Sequence, residues 1–241
     1  MESALTTLFS APVKVTGAGR TDAGVHATGQ VISLGTDAAF PFDRLAVALR
    51  SLLPSDLSVR ETAVVEDGFS ARFSARERTY VYAIRNGAEG GALLARYAYH
   101  VPRRLDLEAM RAACAHLIGE HDFRSFAAVP AQDRTIRRIE RVALDERGAL
   151  LRLEIAAEGF LHHMVRTIVG TLVECGSGRR GPEEVPSLLE ARDRVAAGPT
   201  APPQGLYLAG VRYVGGYDSY AEPPIFAGGA SLGLTTRVAF P

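Results

Sequence analysis

Two strand-like runs, Pro12-Val-Lys-Val-Thr16 and Gly29-Gln-Val-Ile-Ser-Leu34, are joined by a connection too short, and too broken by Gly24, to hold a crossover helix. That connection, Gly17-Ala-Gly-Arg-Thr-Asp-Ala-Gly-Val-His26, contains three glycines, Gly17, Gly19 and Gly24, whose backbones reach conformations closed to other residues. Gly17-Ala-Gly19 after a strand, with Asp37 downstream, imitates a dinucleotide-binding fingerprint. The likeness fails at Asp22, which stands where close helix packing wants glycine and where an anion would repel a pyrophosphate. The loop is instead built around one carboxylate, Asp22, with one cation, Arg20, two positions before it. An aspartate in such a place is either the cap of a short turn or a functional group, and the flanking strands and nearby arginine favour function. At neutral pH it is ionised, so a buried catalytic Asp22 needs a cation to keep it so: Arg20 is the local candidate and Arg166 the remote one.

A chain of 241 residues makes one large domain or two small ones. No apolar run approaches the length of a membrane span, no secretory signal opens the chain, and Cys114 and Cys175 stand apart, outside any CxxC pair. These features fit a cytoplasmic protein with reduced cysteines. Acidic and basic residues balance at 27 each, which argues against bulk electrostatic binding but not against a basic groove. Every basic residue except Lys14 is arginine. Arginine grips phosphate bidentately and stacks on bases, although a GC-rich genome leaves the same signature. Local clusters at Arg72, Arg76, Arg78 and Arg85, and at Arg134, Arg137, Arg138 and Arg141, are more informative.

Hydrophobic spacing predicts a helix over Phe42–Leu53, a strand over Leu57–Val65 and a loop over Phe69–Glu77. A strand follows at Tyr80–Ile84, then a helix capped by Asp106 that runs to about Ile118. Arg137–Leu144 and Ala149–Ala156 flank Asp145-Glu-Arg-Gly148 as a hairpin. The strongest helical period covers Phe160–Glu174, with His162, His163, Arg166 and Thr167 on a basic polar face. Glu183–Arg192 reads as a helix interrupted by Pro186, and Leu206–Val214 as a last strand before a tail. The reading is an α+β fold of two mixed sub-domains, 1–76 and 77–214, with largely antiparallel sheets flanking a basic RNA-binding cleft, and a tail over 215–241.

Other chemistries find little support. On a helix His162 and His163 would diverge by about 100° and no HExxH spacing backs them, so no metal ligand is assigned. His121-Asp122 and Ser125 make no nucleophile–base pair by spacing, and no GxSxG or Walker motif is present.

Gly19-Arg-Thr-Asp-Ala-Gly-Val-His26 resembles the catalytic loop of the TruA family of tRNA pseudouridine synthases. Further likenesses follow in order: Phe69-Ser-Ala-Arg-Phe-Ser-Ala75, Arg78-Thr-Tyr-Val-Tyr82, His121-Asp-Phe-Arg-Ser-Phe126, Phe160-Leu-His-His-Met-Val-Arg166 and Gly205-Leu-Tyr-Leu208. The resemblance implies the pseudouridine synthase fold and a cofactor-free isomerisation of uridine in the anticodon stem-loop of tRNA (positions 38–40 of the tRNA), by a homodimer whose two subunits share one tRNA. It makes Asp22 the nucleophile, paired with Arg166, and Tyr80 the residue that stacks on the target base. Arg20 would occupy the space left by the flipped nucleotide, and Arg72, Arg76 and His163 would contact the RNA backbone, helping to offset a flip that costs a few kcal/mol.

Members of this family usually begin with a strand, an Asp-Gly segment ending in Gly-Trp-Gln, and a helix; this chain has no tryptophan and starts at what resembles the end of that helix. The expectation is a missing head, an exposed sheet edge beside the catalytic loop and a poorly stable protein. The alternative function is a catalytically impaired tRNA-binding remnant; a nicotinamide oxidoreductase is a more remote one. Gly228–Pro241 aligns with nothing in the family and is expected to be loosely ordered.

Overall fold

The computed structural model describes residues 1–38, 40–128 and 134–226 in full and 236–240 by their backbone. Along the chain run α1 (Glu2–Phe9), β1 (Thr16–Gly17), β2 (His26–Ala27), β3 (Gln30–Ser33), α2 (Leu45–Arg50), β4 (Val59–Val64), β5 (Ala75–Asn86), β6 (Tyr99–Val101) and α3 (Leu107–Ala115). Then come β7 (Gly119–Asp122), β8 (Ile136–Arg147), β9 (Leu150–Ala157), α4 (Met164–Gly176), α5 (Val185–Ala191), β10 (Leu206–Tyr213), β11 (Ser219–Tyr220) and β12 (Thr236–Phe240). They form two compact units: Met1–Thr21 with Ala27–Arg76 and Leu208–Pro241, and Asp22–His26 with Glu77–Tyr207. The fold is α+β.

The first unit carries a four-stranded sheet in the order β1-β3-β12-β4. Its core gathers Leu5 and Phe9 of α1, Leu45 and Leu49 of α2, Ile32 of β3 and Val59 of β4. Phe9, Phe40 and Phe42 meet edge to face, with centroids 5.6–6.5 Å apart, a geometry worth about 0.5–1.5 kcal/mol per pair beyond the area buried. The strand expected over Pro12–Thr16 shrinks to two residues, Thr16–Gly17. The cause is local: α1 side chains take the backbone donors a ladder would have used, Thr6 Oγ1 accepting from Val13 N–H at 3.3 Å and Glu2 Oε1 from Val15 N–H at 2.9 Å. Phe42–Leu53 likewise divides into a 3₁₀ turn, Phe42–Arg44, and α2, which ends at Arg50. Of the stretch Gly228–Pro241, residues 228–235 and 241 lie outside the described residues. Residues 236–240 form β12, paired in parallel with both β3 and β4.

The second unit holds β5, β9, β8 and β7 in one antiparallel run, with β6 parallel to β5. Thr79–Ile84 of β5 is buried without a break, so the strand is covered on both faces and alternation gives way to a continuous apolar run. The hairpin falls where expected, but β8 extends through Arg147, and Asp145 and Glu146 belong to the strand rather than the turn. α3 is capped as read, Asp106 Oδ1 accepting from the amides of Glu108 and Ala109.

Two helices differ from expectation. Pro186 does not interrupt a helix: a 3₁₀ turn, Pro182–Glu184, comes first, and Pro186 sits in the first turn of α5, where a missing N–H costs nothing. More consequentially, α4 begins at Met164, not Phe160, and is buried almost all round. Thr167, expected on a polar face, is fully buried. Gly170 makes that burial possible: a Cβ there would lie 1.7 Å from the Pro199 carbonyl oxygen. The 198–201 segment therefore packs on α4 backbone to backbone.

Candidate active site

Asp22–His26 belongs to the second unit, and the site can be built within that unit alone. The segment turns tightly, Val25 N–H donating to the Asp22 carbonyl at 3.0 Å, with Gly24 at φ 82° and against Pro203. A side chain at position 24 would be strained twice over, by the left-handed backbone and by the proline. His26 ends the turn between two tyrosine rings, Tyr97 at 5.4 Å and Tyr207 at 4.9 Å, with its Nε2 on the Arg96 carbonyl at 2.9 Å.

Arg166 lies in the first turn of α4. Its Nη1 donates to Asp22 Oδ2 at 2.7 Å and its Nε to the Ala201 carbonyl at 2.8 Å, and its own carbonyl accepts from Ala201 N–H at 3.0 Å. The guanidinium is thus oriented from one side by the segment that Gly170 admits, and presents its remaining donor edge to the carboxylate. Charge-assisted bonds of this kind are about twice as strong as neutral ones, and with both side chains largely buried (13% and 22% exposed) water screens the pair weakly.

Since α4 starts at Met164, His162 and His163 precede it and are not constrained to diverge as helical neighbours. His163 is the N-cap, at φ 62°, a left-handed conformation uncommon outside glycine. That twist brings the two imidazoles together, centroids 3.9 Å apart with their planes tilted by 39°, and turns both toward the carboxylate: His162 Nε2 is 3.4 Å from Asp22 Oδ1 and His163 Nε2 3.4 Å from Asp22 Oδ2. Burial pushes the His163 pKa down; the Asp22 carboxylate opposes that, and His162, Arg166 and Arg194 reinforce it. The net direction favours the uncharged imidazole.

Tyr80, on β5 opposite Ile155, meets the Phe160 ring edge to face at 5.1 Å. Burial pushes its phenol up to about 12, with Arg78 opposing and the Asp22 charge adding to the rise. Tyr80 is a neutral hydroxyl in an apolar slot that feels the carboxylate.

Of the residues singled out from sequence, Asp22, Tyr80, His163 and Arg166 come together in this unit. Arg20, Arg72 and Arg76 belong to the first unit and are exposed there; the Arg72 guanidinium lies 5.4 Å above the Phe73 ring. Sequence reasoning passed over His162, discarded by a helical geometry it does not have, and His26, whose two tyrosine partners are distant in sequence. It also left Phe160 without a role beside Tyr80.

The family profile described as tRNA pseudouridine synthase matches residues 113–214. The tRNA pseudouridine synthase A of Caldicellulosiruptor bescii is 42% identical over 214 residues, covering 88% of each chain. That of Halalkalibacterium halodurans is 48% identical over 80% of this chain and 74% of its own, and that of Bacillus subtilis 44% identical over 88% and 87%. With a carboxylate, its arginine and a buried tyrosine converging in one unit, and identity of this order over most of its length, the chain belongs to the tRNA pseudouridine synthase family.

Proposed function

We propose that this protein isomerises uridine to pseudouridine in the anticodon stem-loop of tRNA, with Asp22 as the nucleophile. The observation that carries the reading is the Asp22–Arg166 pair: a carboxylate paired with and aimed by a guanidinium that is itself fixed to Ala201. The conversion breaks the bond from uracil N1 to ribose C1′, forms one from C5 to C1′, and moves one proton from C5 to N1. Atoms and electrons balance within the substrate, so the reaction as written calls for no oxidant, reductant or co-substrate.

A base inside a helix cannot reach Asp22, so the target uridine is flipped out. Tyr80 would stack on the extruded base, and its raised pKa keeps the hydroxyl protonated, able to donate to a uracil oxygen. Asp22 attacks to loosen the N1–C1′ bond. Arg166 holds the carboxylate before attack and balances its charge when it is released. His163, beside Asp22, borders the space the ribose-phosphate would take. Arg20 supports the vacated stack, and Arg72 and Arg76 follow the phosphates as exposed cations. The reading carries with it a homodimer that shares one tRNA, and work in the cytoplasm; no helix among the described residues is long and apolar enough to cross a membrane.

Incubating purified protein with unmodified tRNA and counting pseudouridine by mass spectrometry tests the proposal. Formation at anticodon stem-loop positions that disappears with Asp22→Ala supports it. Binding of tRNA without pseudouridine formation by the wild type identifies a tRNA-binding protein and overturns it.

A further inference from the structure

The donor atoms around Asp22 carry a second chemistry. Two imidazoles and one carboxylate present Nε2, Nε2 and an Oδ within 4.8 Å of one another. Bonds of about 2.0–2.1 Å from a tetrahedral zinc to nitrogen and oxygen put neighbouring donors about 3.3–3.4 Å apart. His162 Nε2 stands 3.4 Å from Asp22 Oδ1, which is one edge of that tetrahedron, and His163 Nε2 lies within 4.8 Å of both other donors and 3.4 Å from the second oxygen, Oδ2. The left-handed His163 brings two successive residues to one side, a placement that helical spacing would forbid. His162 is 61% exposed, which leaves an approach from solvent and room for water as fourth ligand.

We propose that Asp22, His162 and His163 form a site for a late first-row divalent cation of the zinc class, and that its occupancy reversibly silences the carboxylate. Two nitrogens and one oxygen select zinc, cobalt or nickel over magnesium and calcium, which demand oxygen ligands. The ion takes Asp22 through Oδ1, on the His162 side, while Oδ2 keeps its bond to Arg166. With Oδ1 on the ion and Oδ2 on Arg166, the carboxylate carries less negative charge, is blocked by the ion on one side, and is a weaker nucleophile toward a flipped nucleotide. The neighbouring guanidinium repels the metal, so the affinity is that of a regulatory or inhibitory ion rather than a structural one. Binding is independent of the reaction proposed above; only the silencing of turnover rests on it.

The full-length protein is titrated with cobalt(II) at neutral pH while its visible d–d absorption is followed, and zinc binding is measured by calorimetry. The expected result is one tetrahedral cobalt spectrum, displaced by zinc and unaffected by a large excess of magnesium. His162→Asn and His163→Asn should each weaken cobalt binding by about tenfold or more, and Asp22→Asn likewise, with thermal melts confirming that each variant is folded. An absent tetrahedral spectrum, binding unchanged in the double histidine variant, or displacement by magnesium overturns the site. In a separate arm, zinc should stop pseudouridine formation and a chelator restore it; full turnover with cobalt demonstrably bound overturns the silencing. Should the protein form no pseudouridine even without metal, the functional reading fails and the spectroscopic arm still decides the site.

Discussion

Arg166 and Arg72 carry the same charge in opposite circumstances. Arg166 is 13% exposed and holds two fixed acceptors, Asp22 Oδ2 and the Ala201 carbonyl. Arg72 is exposed, its guanidinium over an aromatic ring that is itself 80% exposed. A guanidinium held on two sides in a largely dry setting fixes geometry, and losing it strands a half-buried carboxylate. An exposed one is screened by salt and adapts to whatever phosphate arrives. Under the proposed function, the contrast separates aligning the chemistry from gathering the substrate.

Replacing the carboxylate that Arg166 serves should have the largest effect. Asp22→Asn keeps the shape, loses the charge, and lowers pseudouridine formation by about 10³-fold or more in single-turnover assays, with tRNA binding retained. Next comes Arg166→Met, expected to cost about 10²–10³-fold in kcat/KM. Arg166→Lys should recover only part of this, since one ammonium cannot reproduce the two-sided geometry; full recovery would reduce Arg166 to a generic cation like Arg72. Gly170→Ala should act on Arg166 indirectly, by lifting the 198–201 segment: a melting temperature several degrees lower, from about 1–3 kcal/mol of overpacking, with a fall in kcat larger than any change in KM.

Tyr80 allows a pH test. Its folded pKa of about 12 lies above the ordinary tyrosine value of 10.0, so its contribution to stability is complete below pH 10 and is lost as pH rises from 10 to 12. Tyr80→Phe should make that part of the stability–pH profile shallower in denaturant titrations without abolishing it, since burial raises Tyr82 and Tyr207 as well; an unchanged slope would place the alkaline loss wholly in those residues. The smallest effect belongs to Arg72→Ala: a KM a few-fold higher and a slope of log affinity against log salt shallower by about 0.7–0.9, the signature of one lost phosphate contact. A change in kcat as large as that of Arg166→Met would erase the comparison.

Only Asp22 is marked locally, by its glycine loop. Tyr80 and Arg166 come into view through the family resemblance, since a tyrosine on a strand reads equally as core and an arginine on a helix equally as a solvated charge. What stayed hidden depended on boundaries and on contacts made at distance. A helical period does not reveal whether the first turn starts at Phe160 or Met164, and those few residues decide whether two histidines diverge or converge. His26 gives no sign of its two tyrosines, since Tyr97 and Tyr207 meet it only through the fold. In the first unit, the backbone donors of Val13 and Val15 went to side chains of α1, a competition that strand propensity does not register.

The placement of β12 has a consequence in time. In the order β1-β3-β12-β4, the segment that joins residues 30–33 to residues 59–64 comes from residues 236–240. Pairings of such sequence separation are slow to form, because the entropy of closing the loop is spent before any contact repays it. Most of the second unit, Glu77–Tyr207, is one continuous stretch and can organise as it leaves the ribosome. The first unit's sheet must hold two unpaired strand edges open until the last of its strands arrives. A protein assembled in that order has the unit that carries the proposed site in place before its first sheet is finished, and is most exposed to chaperones and proteases in between.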